Sequence, residues 1–318
     1  MSSALAAGRR RGVSRSRWVV LAFVSPFVLG VVLFFGYPLV STIVYSFEKY
    51  DQINPPTWVG TQNWHYVFDE YPRFWTALRN TAWLVVVMVS LRLVFGLAVG
   101  MLIVRVRAGV GIFRTVFYLP YLAPPVASTL VFVFLLNPGS GPVNGLLEAV
   151  GIPAPAWFTD PNWSKPALVL LSLWGIGDLM VIFTASLLDV PRELYEAAEL
   201  DGAGAFGRFR FITLPTIRPI LLFTTVTGVI ATMQYYTQAL VAGQAASGQL
   251  SSAGSRVEPG YPNGSTLTLP QLVYNLGFQN FDTGSASVIA VVMFVLAMAC
   301  TVLLLKAGGG FLKTGRIG

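Results

Sequence analysis

Apolar residues in this chain gather into long blocks separated by short polar stretches. Such blocks lie roughly at 18–47, 81–104, 112–136, 166–188, 213–243 and 284–305. A bilayer hydrocarbon core of about 30 Å needs about 20 apolar residues in helical form, because a helix satisfies its own backbone in lipid. The pattern predicts an all-α, polytopic membrane protein with about six transmembrane helices, several of them long enough to tilt or protrude. Arg9, Arg10, Arg11, Arg15 and Arg17 precede the first block. Its apolar length exceeds that of a signal-peptide core and no clear small-residue cleavage site follows, so it reads as a retained span. The expected division is a basic tail over 1–17, one transmembrane unit over 18–306 and a second tail over 307–318.

Between the fourth and fifth blocks lies an acidic, alanine-rich island, Asp189-Val-Pro-Arg-Glu193-Leu-Tyr-Glu196-Ala197-Ala198-Glu199-Leu-Asp201-Gly202. Lipid would reject its four glutamate and aspartate side chains from Glu193 to Asp201, so the segment belongs outside the bilayer. Pro191 suits the first turn of a helix, with Asp189 upstream as a candidate cap, and Gly202 suits its end. A second short piece, Ala203 to Arg210, precedes the return to the membrane. The pattern predicts a helix-turn-helix on the membrane face, built to be gripped by a partner.

Composition agrees with the blocks. The chain is 54% hydrophobic and 11% charged, against roughly 25% charged in soluble domains, and its mean hydropathy is +0.65. The net charge of +7 sits at block ends rather than on one aromatic-laced face, which argues against nucleic acid. Lys and Arg concentrate on the cytoplasmic side of membrane proteins. With the N-terminus inside, the inner segments also hold Arg105, Arg107, Arg114, Arg192, Arg208, Arg210, Arg218, Lys306, Lys313 and Arg316. The outer segments, near 48–80, 137–165 and 244–283, hold only Lys49, Arg73, Arg79, Lys165 and Arg256. Both termini and the island are thus expected in the cytoplasm.

Little in the chain points to catalysis. Cys300 and His65 are the only residues of their kinds, so neither an internal disulfide nor a cysteine-based metal site is possible and no metal site is expected. Gly202-Ala-Gly204-Ala-Phe-Gly207 satisfies G-x-G-x-x-G, but an acidic helix precedes it instead of a strand, and no acid follows at the right distance. There is no G-x-x-x-x-G-K-[ST], so this chain binds no ATP through a P-loop. Asn162-Trp-Ser164 and Asn263-Gly-Ser265 fit a glycosylation sequon, a weak pattern.

The island's spacing carries a resemblance. Glu196-Ala197-Ala198, three residues, Gly202, nine residues, then Ile212-Thr-Leu214-Pro215 resembles the EAA loop of permease subunits in binding-protein-dependent ATP-binding-cassette (ABC) importers. Phe113-Arg114-Thr115 with Phe117-Tyr-Leu119-Pro120, and Gly141-Pro-Val-Asn144-Gly-Leu146-Leu147, are similar to the sugar-type branch. So are Thr266-Leu-Thr268-Leu269, Tyr274, Phe278 and Gly284-Ser-Ala286-Ser287. The likeness spans about residues 20–306. It departs after the fifth block, where the branch commonly has a Gly-Gly-Pro turn and this chain reads Leu240-Val-Ala-Gly243-Gln-Ala-Ala, then a Gly/Ser-rich stretch to about Gly264.

The resemblance implies the type I importer permease fold in a prokaryotic plasma membrane. The loop over about 189–215 becomes the coupling segment to an ATPase, through Glu196, Ala197, Ala198, Gly202, Ile212, Leu214 and Pro215. Implied partners are a second homologous permease, an ATPase dimer that uses ATP and Mg, and an external solute-binding protein that delivers sugar. No cofactor is implied for this chain itself.

For a sugar path, the mid-block polar residues are the candidates. Arg92 and Asp178, the latter near Trp174, either form a structural salt bridge or offer one member to a hydroxyl; a structural role for Arg92 is favoured, since a buried charge first needs a partner. Gln234, Tyr235, Tyr236 and Gln238 combine ring faces with amides, as sugars require, though tyrosines near a span end equally form an interfacial belt. Pro120, Pro124 and Pro125 break the third block, leaving carbonyls that either line a cavity or only kink the helix. Two rivals remain: the same machinery carrying glycerol-phosphate or another small polar solute, and an ion-coupled secondary transporter relaying through Arg92 and Asp178.

Overall fold

The computed structural model describes residues 12–248 and 258–312, with side chains over 18–248 and 258–308. Most of the expected N-terminal tail, Arg256, part of the Gly/Ser-rich outer stretch, Lys313 and Arg316 lie outside the described residues. The first span runs through α1 (Gly12–Val31), a π turn (Val32–Gly36) and α2 (Tyr37–Tyr45). A connecting segment follows, with β1 (Glu48–Lys49) paired antiparallel to β2 (Thr57–Trp58), then α3 (Gln62–His65). Next comes α4 (Arg73–Arg105), a single helix of 33 residues, about 50 Å long at about 1.5 Å per residue. It overshoots the hydrocarbon core and begins earlier than the apolar block alone suggests.

The third span is broken into α5 (Val110–Tyr118), a 3-10 turn (Leu119–Leu122) and α6 (Pro125–Leu135), bent by 98°. Ala123 and Pro124 take extended ψ values of 134°, as the residue before a proline must when it leaves the helical region. After α7 (Pro142–Ala149), the fourth span is again a pair, α8 (Pro161–Trp174) and α9 (Gly177–Leu188), bent by 49°. Asp160 starts α8 by accepting the Asn162 N–H, with Pro161 in the first turn where its missing donor costs nothing. The break at Gly177 has a cause elsewhere in the chain. A Cβ there would stand 2.6 Å from the Phe117 carbonyl and 2.7 Å from the Tyr118 Cα, so the α5 backbone crosses where only glycine fits.

Past α9 come α10 (Arg192–Leu200), α11 (Ala205–Arg208), a π turn (Phe209–Thr213) and α12 (Leu214–Thr216). A 67° bend leads into α13 (Arg218–Met233), and α14 (Thr237–Ala246) follows a second break at Gln234–Tyr236. The fifth block, expected over 213–243 as one helix, is thus interrupted near both ends. α15 (Leu269–Tyr274) opens with a capping box between Thr268 and Gln271, and α16 (Thr283–Leu312) closes the described chain. Among the described residues, three helices are long and apolar enough to cross a membrane alone, and counting each bent pair as one span gives up to six.

The core is organised around α4. Phe74 and Ala77 join α15 and α16; Leu84 and Met88 join α8, α6 and α14; Val89 joins α13 and α16; Leu97 joins α9. The tightest approach is to α9. A Cβ on Gly96 would meet the Leu179 Cβ at 2.7 Å, and one on Gly100 the Phe183 Cβ at 3.1 Å. Small residues let transmembrane helices approach closely where lipid supplies no hydrophobic drive. Near the start of α4, Asn80 Nδ2 donates to the Gly264 and Leu267 carbonyls, Lys165 donates to Asn80 Oδ1, and Thr81 Oγ1 accepts from the Leu269 N–H. These bonds pin the segment before α15 to the same helix.

Gly96→Val is expected to overpack the α4–α9 contact and destabilise the chain by about 1–3 kcal/mol. Gly111→Ala in α5, with open space at its Cβ, is expected to be neutral or to stabilise by under about 1 kcal/mol. Thermal unfolding of the detergent-solubilised protein measures both; equal midpoints for the two variants would contradict the packing argument.

Candidate functional sites

The acidic island has a defined stop and a braced underside. α10 ends in a hydrogen-bonded reversal: the Gly202 N–H donates to the Glu199 carbonyl and the Ala203 N–H to the Ala198 carbonyl. This pairing requires a left-handed residue after the cap, and Gly202 has φ +78° with nothing within 4 Å of its would-be Cβ. Backbone geometry alone therefore demands glycine. The start of the helix differs from expectation. Pro191 precedes the first turn and occupies the cap position itself, and α10 has no side-chain cap. Asp189 instead closes α9, its N–H donating to the Ala185 carbonyl.

Below the island, Tyr195 Oη and Thr213 Oγ1 share a 2.8 Å hydrogen bond, and Glu199 pairs with Arg208 across the turn. Tyr195, Phe209 and Ile212 pack on Phe183, Leu187, Val190 and Ile217, so the island stands directly on α9 and the start of α13. Its other side is uncovered. Glu193, Glu196, Ala197 and Pro215 are exposed, while Ala198 and Leu214 are half-buried. Leu200 is 90% exposed, and Phe206 and Phe211 are each 78% exposed. Apolar side chains held out beside carboxylates mark a surface that another molecule covers. Tyr195, the brace, was not among the sequence candidates; its spacing from Thr213 carries no pattern that would single it out.

In mid-span, Arg92 Nη2 donates to Asp178 Oδ1 at 2.9 Å and Oδ2 at 3.1 Å. The pair joins α4 to α9 a turn away from Gly96. On one side it borders a cavity of about 180 Å³ whose lining includes Arg92, Tyr121, Ser128, Trp174, Tyr235 and Gln238. Pro120 and Pro125 of the broken third span also line it, and Trp174 leans on Phe132 at 5.4 Å. Two buried polar atoms there have no hydrogen-bond partner among the described residues, Arg92 Nε and Tyr235 Oη. Buried donors are rarely left unmade without a reason. On the other side, a cavity of about 150 Å³ meets Asp178, Thr224, Thr227 and Thr232.

The candidate residues of span five do not share one face. Tyr235 and Gln238 reach the cavity with Trp174, whereas Gln234 lines a separate, largely apolar cavity of about 560 Å³ between α13, α15 and α16. Tyr236 leans against Tyr274 at 5.4 Å. The backbone break at Gln234–Tyr236, with Tyr236 at φ −120° and ψ −61°, ends the helical periodicity that would have aligned the four. Tyr121, Ser128 and Ser172 also line the cavity, the first two brought in by the proline bend and Ser172 by α8. Among the described residues, no group of three or more His, Cys, Asp or Glu is placed to hold a metal ion.

Residues 92–308, well over half the chain, match the family described as binding-protein-dependent transport system inner membrane component. The chain belongs to this family. Among relatives of this permease, the lactose transport system permease protein LacF of Rhizobium radiobacter is 32% identical over 287 residues, covering 88% of this chain and 90% of its own. The arabinooligosaccharides transport system permease protein AraP of Halalkalibacterium halodurans is 30% identical over 303 residues, covering 93% and 89%. A chain of a bacterial ABC transporter involved in the import of the acidic polysaccharide alginate superposes with a TM-score of 0.77 at 20% identity, over 92% of this chain and 96% of its own. The permease therefore has the importer fold and is a multi-pass membrane protein.

Removing one member of the Arg92–Asp178 pair leaves a charge unpaired in low dielectric, whereas replacing both does not. Asp178→Leu alone is expected to cost on the order of 2 kcal/mol, and adding Arg92→Met should recover most of it. A double-mutant cycle on thermal stability reads the coupling directly; additive losses would mean that the two side chains do not depend on each other.

Proposed function

We propose that this chain is a permease subunit of an ATP-driven importer and forms part of the path for a sugar or oligosaccharide delivered by an external binding protein. The observation that carries the reading is the island: a helix terminated by a glycine-dependent reversal, braced by the Tyr195–Thr213 hydrogen bond and packed on α9 through Tyr195, and bare on the side that holds Glu196. ATP chemistry belongs to a partner ATPase pair that uses Mg, which fits the absence of a P-loop here. Glu196 offers a carboxylate to a basic partner, Ala197 and Ala198 allow close approach, and Gly202, Ile212, Leu214 and Pro215 hold the shape. Closure of the ATPases would push the island and, through α9, the spans fixed to it.

In this reading both termini and the island lie on the cytoplasmic face of a prokaryotic plasma membrane, and residues 18–306 act as one permease unit. A second, homologous permease supplies the rest of the path. Sugar as cargo is supported by the names of the relatives and by the cavity's chemistry. Trp174 and Tyr235 offer ring faces to a pyranose, and Gln238, Tyr235 Oη and Arg92 Nε offer hydrogen bonds to its hydroxyls. A phosphate-bearing solute would call for an unpaired cation in the path, and the mid-span Arg92 is held by Asp178. Against an ion-coupled carrier stands the island, which such a mechanism does not need.

Two measurements test this in proteoliposomes holding the complete transporter. Glu196→Ala and Gly202→Val are each expected to lower ATP-dependent sugar uptake about tenfold or more, as loss of a coupling free energy of about 1.4 kcal/mol or more would. Uptake that runs without ATP, or survives both changes, would sink the importer reading. Gln238→Ala is expected to impair uptake while leaving assembly intact, and Gln234→Ala to behave nearly as wild type. The reverse order would move the path to the other cavity.

A further inference from the structure

A cavity of about 240 Å³ opens where the inner end of α4 meets the island. Its two halves differ in chemistry. Met101, Val104, Leu187 and Phe209 form an apolar wall, and Arg105, Arg208, Tyr195 and Thr213 form a polar one. Val104, in the apolar wall, is itself exposed, so that wall opens to the outside of α4. Arg105, the last residue of α4, is exposed and has no ion-pair partner among the described residues. Arg208 gives Nη1 to Glu199, and its remaining N–H groups stay available in the guanidinium fork.

The charges decide what the cleft would hold. Arg105 and Arg208 carry two positive charges and Glu199 cancels one, leaving a net of one, which a phosphodiester would neutralise. The apolar wall would stay wet beside a free phosphate ion, whereas the glycerol and first methylenes of a phospholipid would cover it. Basic pockets between spans on the cytoplasmic side suit anionic headgroups. We propose that an anionic phospholipid headgroup occupies this cleft, with its phosphate between Arg105 and Arg208 and its glycerol against Met101 and Val104. The bound lipid ties the end of α4 to the underside of the coupling island and steadies the island's position. This proposal rests on the island lying at the inner membrane surface, as the proposed function requires.

The test uses the complete transporter, delipidated in mild detergent and re-exposed to phosphatidylglycerol or phosphatidylcholine, with retained lipid read by native mass spectrometry. Selective retention of phosphatidylglycerol is expected. Arg105→Ala should lower it about fivefold, the effect of one basic residue at an anionic surface. Met101→Trp, which keeps the charge and fills the apolar wall, should lower it too. Arg107→Ala, outside the cavity, should have little effect. Equal losses for Arg105→Ala and Arg107→Ala, or equal retention of the two lipids, would overturn the site. Displacement of the lipid by excess inorganic phosphate would overturn the lipid assignment in favour of a simple phosphate site. ATP-dependent uptake by the same preparations separates the two ideas: uptake without selective retention leaves the importer and removes the lipid site, and retention without ATP-dependent uptake does the opposite.

Discussion

The packing of this permease is organised on the contact between α4 and α9. Gly96 and Gly100 remove the side chains that would hold the two helices apart, and Leu179 and Phe183 fill the space they leave. One or two turns along, Arg92 and Asp178 join the same helices by a salt bridge. Packing fixes the distance and the ion pair fixes the register. α9 runs into the island with only a short connection at Asp189–Pro191, so under the proposed function a push on the island would reach α4 through α9. α4 in turn contributes to every buried apolar cluster described in the chain.

The same contact places the candidate path. Arg92 faces the clasp with Nη2 and borders the cavity of Trp174, Tyr235 and Gln238 with the rest of its guanidinium. Load-bearing and recognition chemistry would then share one side chain, so motion of the α4–α9 unit would change the shape of the cavity and not merely its access. The broken spans around it serve that end. Pro120 and Pro125 turn the third span aside and line the space so made, and Gly177 lets the α5 backbone cross the break between α8 and α9.

Much of this was readable from the residues alone, for physical reasons that also mark where reading failed. Apolar blocks announced the spans because lipid admits nothing else, and an acidic helix with Gly202 at its end had to lie outside them. Arg92 and Asp178 were expected to find each other because each is costly alone in lipid, and they do. Breaks within spans were harder. Gly177 reads as an ordinary glycine until α5 is seen against it, and the interruption at Gln234–Tyr236 has no proline to announce it. Treating 213–243 as one helix put Gln234 and Tyr236 beside Tyr235 and Gln238, and the structure separates them. A Pro191 in the first turn would leave Asp189 near the cap, whereas Pro191 is itself the cap residue of α10 and Asp189 ends α9. Tyr195 escaped notice because its partner, Thr213, is brought to it only by the fold.

The central claim is that α4 and α9 move as one body when the island is pushed. Spin labels at Val86→Cys on α4 and Val181→Cys on α9, both exposed, in a Cys300→Ala background, report that distance by double electron–electron resonance in the complete transporter. The α4–α9 distance distribution is expected to be the same in the nucleotide-free and ATP-trapped states. A distribution that shifts or splits on ATP trapping would show the helices sliding past each other, and would contradict the account.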